Sequence, residues 1–372
     1  MTYYFKFKDI VLAELDFNGV YFRIIKKYVD AIVFPMLVDD KALNTWISNR
    51  PTSISRNNAL ELFKTAGIKT DEDFVNITNC LSIKDCLWIT RDKDKSWDSV
   101  SLFSNSFNRV FTEVARCDYG FHGKTIQTPS PELTIGGSSL KWCKRMNNKI
   151  YLFKSFGGMA ELEFSGCYSE FFVSQLCEYL GVYDFVKYKL NKVDGKICSV
   201  SECYTSEGVS SIYVGELCDD MIHLDEHIKR YNGRLLKEFK DIMILDCLLF
   251  NVDRHDENIS FLYDNSFNIT GLAPVYDFDH SLFYDLSLIN RSDSYILEKI
   301  RSYVPKTYNN HTFIDQFKMC ITPEMFKKLQ DVYKNFKFTN SKEYPIGSKR
   351  LDMMNKLFRW NLGILLSRIG GS

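Results

Sequence analysis

The sequence carries no excess of either charge: 47 Lys and Arg are balanced by 47 Asp and Glu over 372 residues. That excludes a dominant basic face for nucleic acid or for an anionic membrane, and leaves room only for a local basic groove. The eleven cysteines are odd in number and contain no Cys-x-x-Cys pair, so neither a disulfide framework nor a structural zinc site is expected. Free thiols, mostly in the core, suit a reducing cytosol. The opening residues MTYYFKFKDI lack the apolar stretch of a secretory leader, and no apolar run approaches the roughly 20 residues of a membrane span. A cytoplasmic protein without membrane contact is the expectation. Internal repeats and low-complexity tracts are absent too.

What is present is core-forming material: 45% hydrophobic and 15% aromatic residues, enough for two to three domains at this length. Residues 1–30 alternate apolar and polar side chains and predict a hairpin turning near Asn18-Gly19. FPMLVDDKALNTWISNRP predicts a helix closed by Pro51, and SRNNALELFKTAGI another, with Ser55 as N-cap and Gly67 as its stop. KTIQTPSPELTIGGSSLKWCKR (124–145) is punctuated like a linker entering a glycine-containing loop. A strand over 148–156 carries Lys154, an amphipathic helix over 165–182 carries Glu170, and a strand over 196–208 runs into a loop. GRLLKEFKDIMILDCLLFN (233–251) is apolar on nearly all sides and predicts a buried helix. Residues 285–372 are expected to be helical. Segregated strands and helices of this order imply an α+β chain with two lobes.

Directly after the buried helix comes NVDRHDENISFLYDNSFNITGLAPVYDFDHS (251–281), dense in charge yet patterned as a hairpin. Phosphoryl transfer needs two metal-binding groups, a carboxylate near the nucleophile, a lysine on the phosphates and a loop that approaches them closely. Asp253 and Asn258 stand in D-x-x-x-x-N spacing, and a hairpin later Asp277-Phe278-Asp279 follows. A lone D-x-x-x-x-N is weak; two such parts at matched spacing on the expected elements are not.

The DRHDEN and APVYDFDHSL segments resemble HipA-like serine/threonine kinases, whose fold is distantly shared with phosphatidylinositol kinases. SPELTIGGSSLKW resembles the phosphate-binding loop of that group, YLFK its ATP lysine, and SEFFVSQLCEYLGV the helix that follows. The likeness covers about residues 126–285 motif by motif, and more loosely the rest. It implies an α+β, two-lobed protein kinase-like fold: an N-terminal appendage over 1–120, a β-rich lobe over 121–204 and a helical lobe over 205–372. It also implies a bacterial, Mg²⁺- and ATP-dependent kinase of protein Ser or Thr hydroxyls, able to phosphorylate itself. Asp253 would be the catalytic carboxylate, with Asn258 and Asp277 holding Mg²⁺. Lys154 would bind ATP phosphates and Glu170 would pair with it. The amides of Gly136, Gly137 and Ser138 would cradle phosphate, and Glu202-Cys203-Tyr204 would meet the adenine. Ser138 and Ser139 lie where self-phosphorylation occurs in the group. An antitoxin-like regulator is an implied partner, and direct nucleic-acid binding is not.

Bland readings stand beside these. Glu161, Glu163 and Glu178 compete with Glu170, and Gly136-Gly137 fits a plain turn. Asp279 occupies the place of the usual glycine and is expected to support Arg254 or His255. His255 is expected to hold its loop by hydrogen bonding, and H-L-D-E-H (223–227) lacks a third zinc ligand. Rival functions are a lipid or small-molecule kinase of the same fold, and a nucleotide-binding regulatory module without turnover. The segment after Asp277, with one Arg and three more acids, disfavours a polyphosphate acceptor.

Overall fold

A computed structural model describes residues 1–29, 33–117, 123–156, 166–181, 184–217, 224–284, 291–307 and 311–369. The chain divides into two compact units: 1–157 with 202–212 and 262–270, and 158–201 with 213–261 and 271–372.

The first unit begins with three strands where one hairpin is predicted. β1 (Thr2–Phe7), β2 (Ile10–Phe17) and β3 (Phe22–Lys27) form with β4 (Leu87–Thr90) a sheet ordered β3-β2-β1-β4. The turn at Asn18-Gly19 is present, with Gly19 at φ 95°, and a tighter one at Lys8-Asp9 precedes it. Helix α1 (Asp40–Asn49) is capped by Asp39, whose side chain accepts the Ala42 amide. Helix α2 (Ala59–Ala66) begins after Asn58 rather than Ser55, and ends at Gly67 in the left-handed region, φ 79°. Ser55 bonds Ser53 instead, in the turn that precedes the helix. Helices α3 (Asp71–Thr78) and α4 (Arg109–Arg116) complete the N-terminal part. Buried Arg50 makes two bonds to Asp85, at 2.6 and 2.9 Å, and stacks on Trp46.

The same unit holds the hairpin of β5 (Leu140–Met146) and β6 (Lys149–Ser155). Its register pairs Trp142 with Phe153, whose rings stack at 5.4 Å, and Lys141 with Lys154.

The second unit contains α5 (Gly166–Leu180) and the hairpin of β7 (Lys189–Val193) and β8 (Lys196–Glu202). β9 (Ser210–Tyr213), which belongs to the first unit up to Ile212, leads to α6 (Val214–Leu217), α7 (Leu224–Tyr231) and α8 (Gly233–Leu249) of the second. Helix α8 is the buried one that the sequence predicts: ten of its last eleven described side chains avoid water except on the Lys240 side, and two of them are acids, Asp241 and Asp246. The strands β10 (Ser260–Tyr263) and β11 (Ile269–Leu272) follow the charged turn, residues 262–270 belonging to the first unit. Four helices close the chain: α9 (Asp293–Arg301), α10 (Phe313–Cys320), α11 (Pro323–Asn335) and α12 (Ser348–Ser367). The last turn of a helix leaves carbonyls without partners. For α8, Asn361 of α12 donates to Cys247 O and Leu248 O, and the main-chain N–H groups of Asn251 and Leu282 serve Asp246 O and Leu249 O; Gln316 of α10 adds a bond to Met243 O one turn earlier. Among the described residues no helix is long and apolar enough to cross a membrane, and the ten described cysteines are present as thiols.

Replacing Asp85 with Ala leaves the Arg50 guanidinium buried without its carboxylate. We expect a loss of about 3–5 kcal/mol in urea unfolding; a change under about 1 kcal/mol would show that solvent or another group takes over the charge.

Candidate active site

The charged turn of the second unit is organised by Arg254. Its side chain is 1% exposed, as is that of Asp246 on α8, and the two pair at 3.1 Å. Nη1 donates to the carbonyls of both Asn258 (2.9 Å) and Tyr276 (2.8 Å), and the guanidinium lies 4.6 Å over the Phe278 ring. One cation therefore fixes the turn that ends at Asn258 against the segment that delivers Asp277. Burial opposes the charge of Arg254, but the Asp246 carboxylate outweighs it and raises the guanidinium pKa. Asp246 also accepts the Asn251 amide at 2.8 Å. The expectation that Asp279 serves Arg254 is thus corrected: Asp246 is the acid paired with the guanidinium, while Asp279 lies 3.5 Å from His280.

Asn258 donates its Nδ2 to the Asp253 carbonyl at 2.9 Å. Using the amide nitrogen in this way turns Oδ1 into the group left for a ligand. Asp277 stands at φ 59°, a left-handed conformation unusual for a side-chain-bearing residue, with its N–H donated to Tyr188 Oη. The neighbouring Val275 is tied to Asp184 and Val186 by main-chain bonds of 2.8 and 2.9 Å. An amide oxygen and a carboxylate suit Mg²⁺, which takes few protein ligands and completes its shell with phosphate oxygens and water. No larger cluster of His, Cys, Asp and Glu of the metal-binding kind occurs among the described residues.

Asp253 has both oxygens engaged. Oδ1 accepts Lys306 Nζ at 2.8 Å and Oδ2 faces His280 Nδ1 at 3.0 Å. Burial would push this carboxyl up, yet the bonds and charges of His280 and Lys306 hold it down at about 2. For His280, burial lowers the pKa, but Asp253 and the nearby Asp279 and Asp277 outweigh it and raise the imidazole above its ordinary value. Lys306 is delivered by its neighbour Thr307, whose hydroxyl donates to the Arg254 carbonyl at 2.7 Å. His255 accepts the Glu257 amide at 3.2 Å and so caps the short turn 256–258.

Neither Lys306 nor His280 is singled out by the sequence pattern. His280 has a signal, since it closes Y-D-F-D-H; Lys306 has none, because 53 residues separate it from Asp253.

Of the residues expected to meet a nucleotide, 136–138, 154 and 202–204 lie in the first unit. Gly137 adopts φ 89°, and a side chain there would meet Lys141 Nζ. Lys141 Nζ donates to the Gly136 carbonyl at 3.0 Å. Lys154 is 5% exposed and sits directly across the ladder from Lys141, 9% exposed, so two ammonium groups share one face beside the glycine loop. The sequence pattern singles out Lys154 but not its cross-strand neighbour Lys141. Ser138 is exposed and Ser139 is buried. The Cys203 N–H is already donated to Ile150 O at 2.8 Å, so a purine at 202–204 would meet other main-chain groups; Glu202 pairs with Lys149 at the surface.

In the second unit Glu170 is buried on α5 and accepts the Ser199 hydroxyl. Glu178 forms an exposed pair with Lys187. Glu161, Glu163, His223 and residues 285–290 after Asp277 lie outside the described residues, as does the side chain of His227.

No family model and no curated protein sequence matches the chain. Solved structures do. HipA from Shewanella oneidensis MR-1, determined in a toxin–antitoxin complex with HipB and operator DNA, aligns over 100% of this chain and 98% of its own, with a TM-score of 0.56 and 11% identity. The Helicobacter pylori proinflammatory kinase CtkA aligns over 61% of this chain and 93% of its own, with a TM-score of 0.45 and 18% identity. The chain is an α+β protein with the HipA-like kinase fold.

His280 supplies a check on the site that needs no activity. Its raised pKa means that the bond to Asp253 stabilises the fold fully below about pH 6.5 and is lost as pH rises through the folded value. For Asp253 the contribution is present above the ordinary carboxylate range and is lost as pH falls towards 2. In Asp253→Asn the His280 titration followed by NMR should move down; an unmoved value would remove Asp253 as its partner.

Proposed function

We propose that this chain is a kinase that transfers the γ-phosphate of ATP, with Mg²⁺, to a Ser or Thr hydroxyl of a protein, its own chain included. The observation that carries this reading is the Arg254 bridge. It holds Asn258, with its amide oxygen free of the Asp253 contact, beside the peptide that leads into Asp277. Mg²⁺, when bound, would neutralise the charge that develops on the phosphate oxygens, with Asn258 Oδ1 and the Asp277 carboxylate as its protein ligands. Lys154 would bind the phosphates as a point charge, and the buried Lys141 beside it would add a second. The main-chain amides of Gly136, Gly137 and Ser138 would complete that cradle.

Asp253 is the catalytic carboxylate in this reading. A carboxyl held at about 2 is a weak base. Its work is therefore to accept the hydroxyl's hydrogen bond and aim the oxygen at phosphorus, not to remove the proton before transfer. The acceptor oxygen forms the new bond to the γ-phosphorus as the bond to the β-bridging oxygen breaks. The proton follows onto the transferred phosphate.

A protein acceptor fits better than an inositol phosphate, because the turn presents Asp256 and Glu257 to solvent while its Arg254 is buried and the nearby Lys306 is taken up by Asp253. The HipA structure includes a protein regulator, and a regulator of the same kind, in a cytosolic setting, belongs to the proposal.

Incubation with labelled ATP and Mg²⁺ tests the reading. The parent should label itself or a generic protein, and Asp253→Ala and Asp277→Ala should each fall by about a hundredfold or more. Absence of transfer by the parent would favour a regulatory nucleotide-binding module, and equal labelling by all three would refute the residue assignments.

Mg·ATP should also raise the melting temperature of the parent and raise that of Asp277→Ala less. Equal shifts would take Asp277 out of metal binding.

A further inference from the structure

The stems of the glycine loop are tied to a segment far away in sequence. Thr52 donates its N–H to Leu133 O and its hydroxyl to Ile135 O, both at 2.8 Å. Arg56 donates Nη1 to the Thr52 hydroxyl at 3.3 Å and Nη2 to Lys141 O. The two carbonyls that bound residues 136–140, one on each stem, are thereby joined through Thr52 and Arg56. Both residues are 1% exposed. Arg56 is itself held by Asn58, whose amide donates to Val114 O and Ala115 O at the end of α4. Glu132 adds a third fixing point: its buried carboxylate accepts the Cys143 amide on β5 at 3.0 Å. Burial lowers the Arg56 pKa to about 10, so the guanidinium remains charged at neutral pH.

We propose that Thr52 and Arg56 are positioning residues for phosphate binding: they set the separation of the two stems, and so the opening of the Gly136–Ser138 cradle. This rests on the nucleotide reading of that loop. A glycine-rich loop has much conformational freedom, and each residue ordered on binding costs conformational entropy. Holding both stems in the free protein removes part of that cost from the binding step. Neither residue touches the phosphate; they act through Ile135 and Lys141.

The test compares Thr52→Val, which keeps the main-chain bond to Leu133 but removes the hydroxyl link, with Thr52→Ser, which restores it. Arg56→Lys, which keeps a charge but loses the fork, is the second variant. Sodium tripolyphosphate and Mg·ATP are the probes, with adenosine as the control that lacks phosphate. Thr52→Val should weaken both phosphate probes about tenfold, the worth of one such bond, and leave adenosine alone. The KM for ATP should rise with kcat nearly constant. Hydrogen exchange of the 136–140 amides should accelerate, and Thr52→Ser should return all readouts to the parent's. Arg56→Lys should shift them in the same direction as Thr52→Val.

A Thr52→Val protein that melts earlier but binds, turns over and exchanges like the parent would overturn the proposal while the kinase reading stands. A parent that binds tripolyphosphate without transferring phosphate, with binding weakened in Thr52→Val, would support the clasp and sink the kinase. A parent that binds neither probe overturns both.

Discussion

A buried guanidinium with a single acid beside it is the constraint on which the site depends. Removing Arg254 from water costs several kcal/mol before any partner is counted. The cost is offset only when its donors are met, and here they are met by Asp246, Asn258 O and Tyr276 O, with the Phe278 face above. Those groups belong to the helix α8, the charged turn and the segment after the hairpin. A partly satisfied network of this kind is worse than an apolar core. The turn therefore has one arrangement in which it can be buried, and that arrangement sets Asn258 next to the peptide leading into Asp277.

Strain is the second half of the balance. Phe250, Asp277, Leu282 and Phe283 all have positive φ, between 50° and 64°, at a cost of about 1–2 kcal/mol each. Each lies next to a bond that holds it. Leu282 N–H donates to Leu249 O at 2.8 Å, Ser169 Oγ to Ser281 O at 2.6 Å, and Arg350 Nη2 to Phe283 O at 2.9 Å. The segment after Asp277 is thus held by α5, α8 and α12 at once. Such over-determination argues for a fixed Asp277 rather than one that swings.

The parts of the fold that came through in the sequence are those governed by local rules. Periodicity and stop signals place β6, α5, α8 and the C-terminal helices, and the Asn18-Gly19 turn is found because few residues accept its geometry. Local rules fail where tertiary partners decide. Ser55 is a sound N-cap residue, but the chain from 52 to 58 is committed to the glycine loop and to Val114 and Ala115, so α2 starts later. Asp246 interrupts the apolar run at the end of α8, and a buried acid demands a cation; the sequence does not say that Arg254, eight residues on, is that cation. Lys306 and the partnership of Lys141 with Lys154 depend on contacts and register, which spacing alone does not encode. The D-x-x-x-x-N turn and the Y-D-F-D segment are brought together because Arg254, inside the first, bonds the carbonyls of Asn258 and Tyr276.

The same accounting of buried polar groups changes the standing of the N-terminal residues. Besides the loop stems, they hold the segment 203–211: Ile83 O accepts the Thr205 hydroxyl, Lys84 O accepts the Ser211 N–H at 2.9 Å, and Glu207 takes Trp97 Nε1 and Ser101 Oγ at 3.2 and 2.7 Å. A buried carbonyl or hydroxyl without a partner costs about 1–3 kcal/mol. Several would be orphaned together if residues before 117 were absent. Within the first unit, the N-terminal sheet and helices supply the donors and acceptors that hold the glycine loop and the 203–211 segment in place.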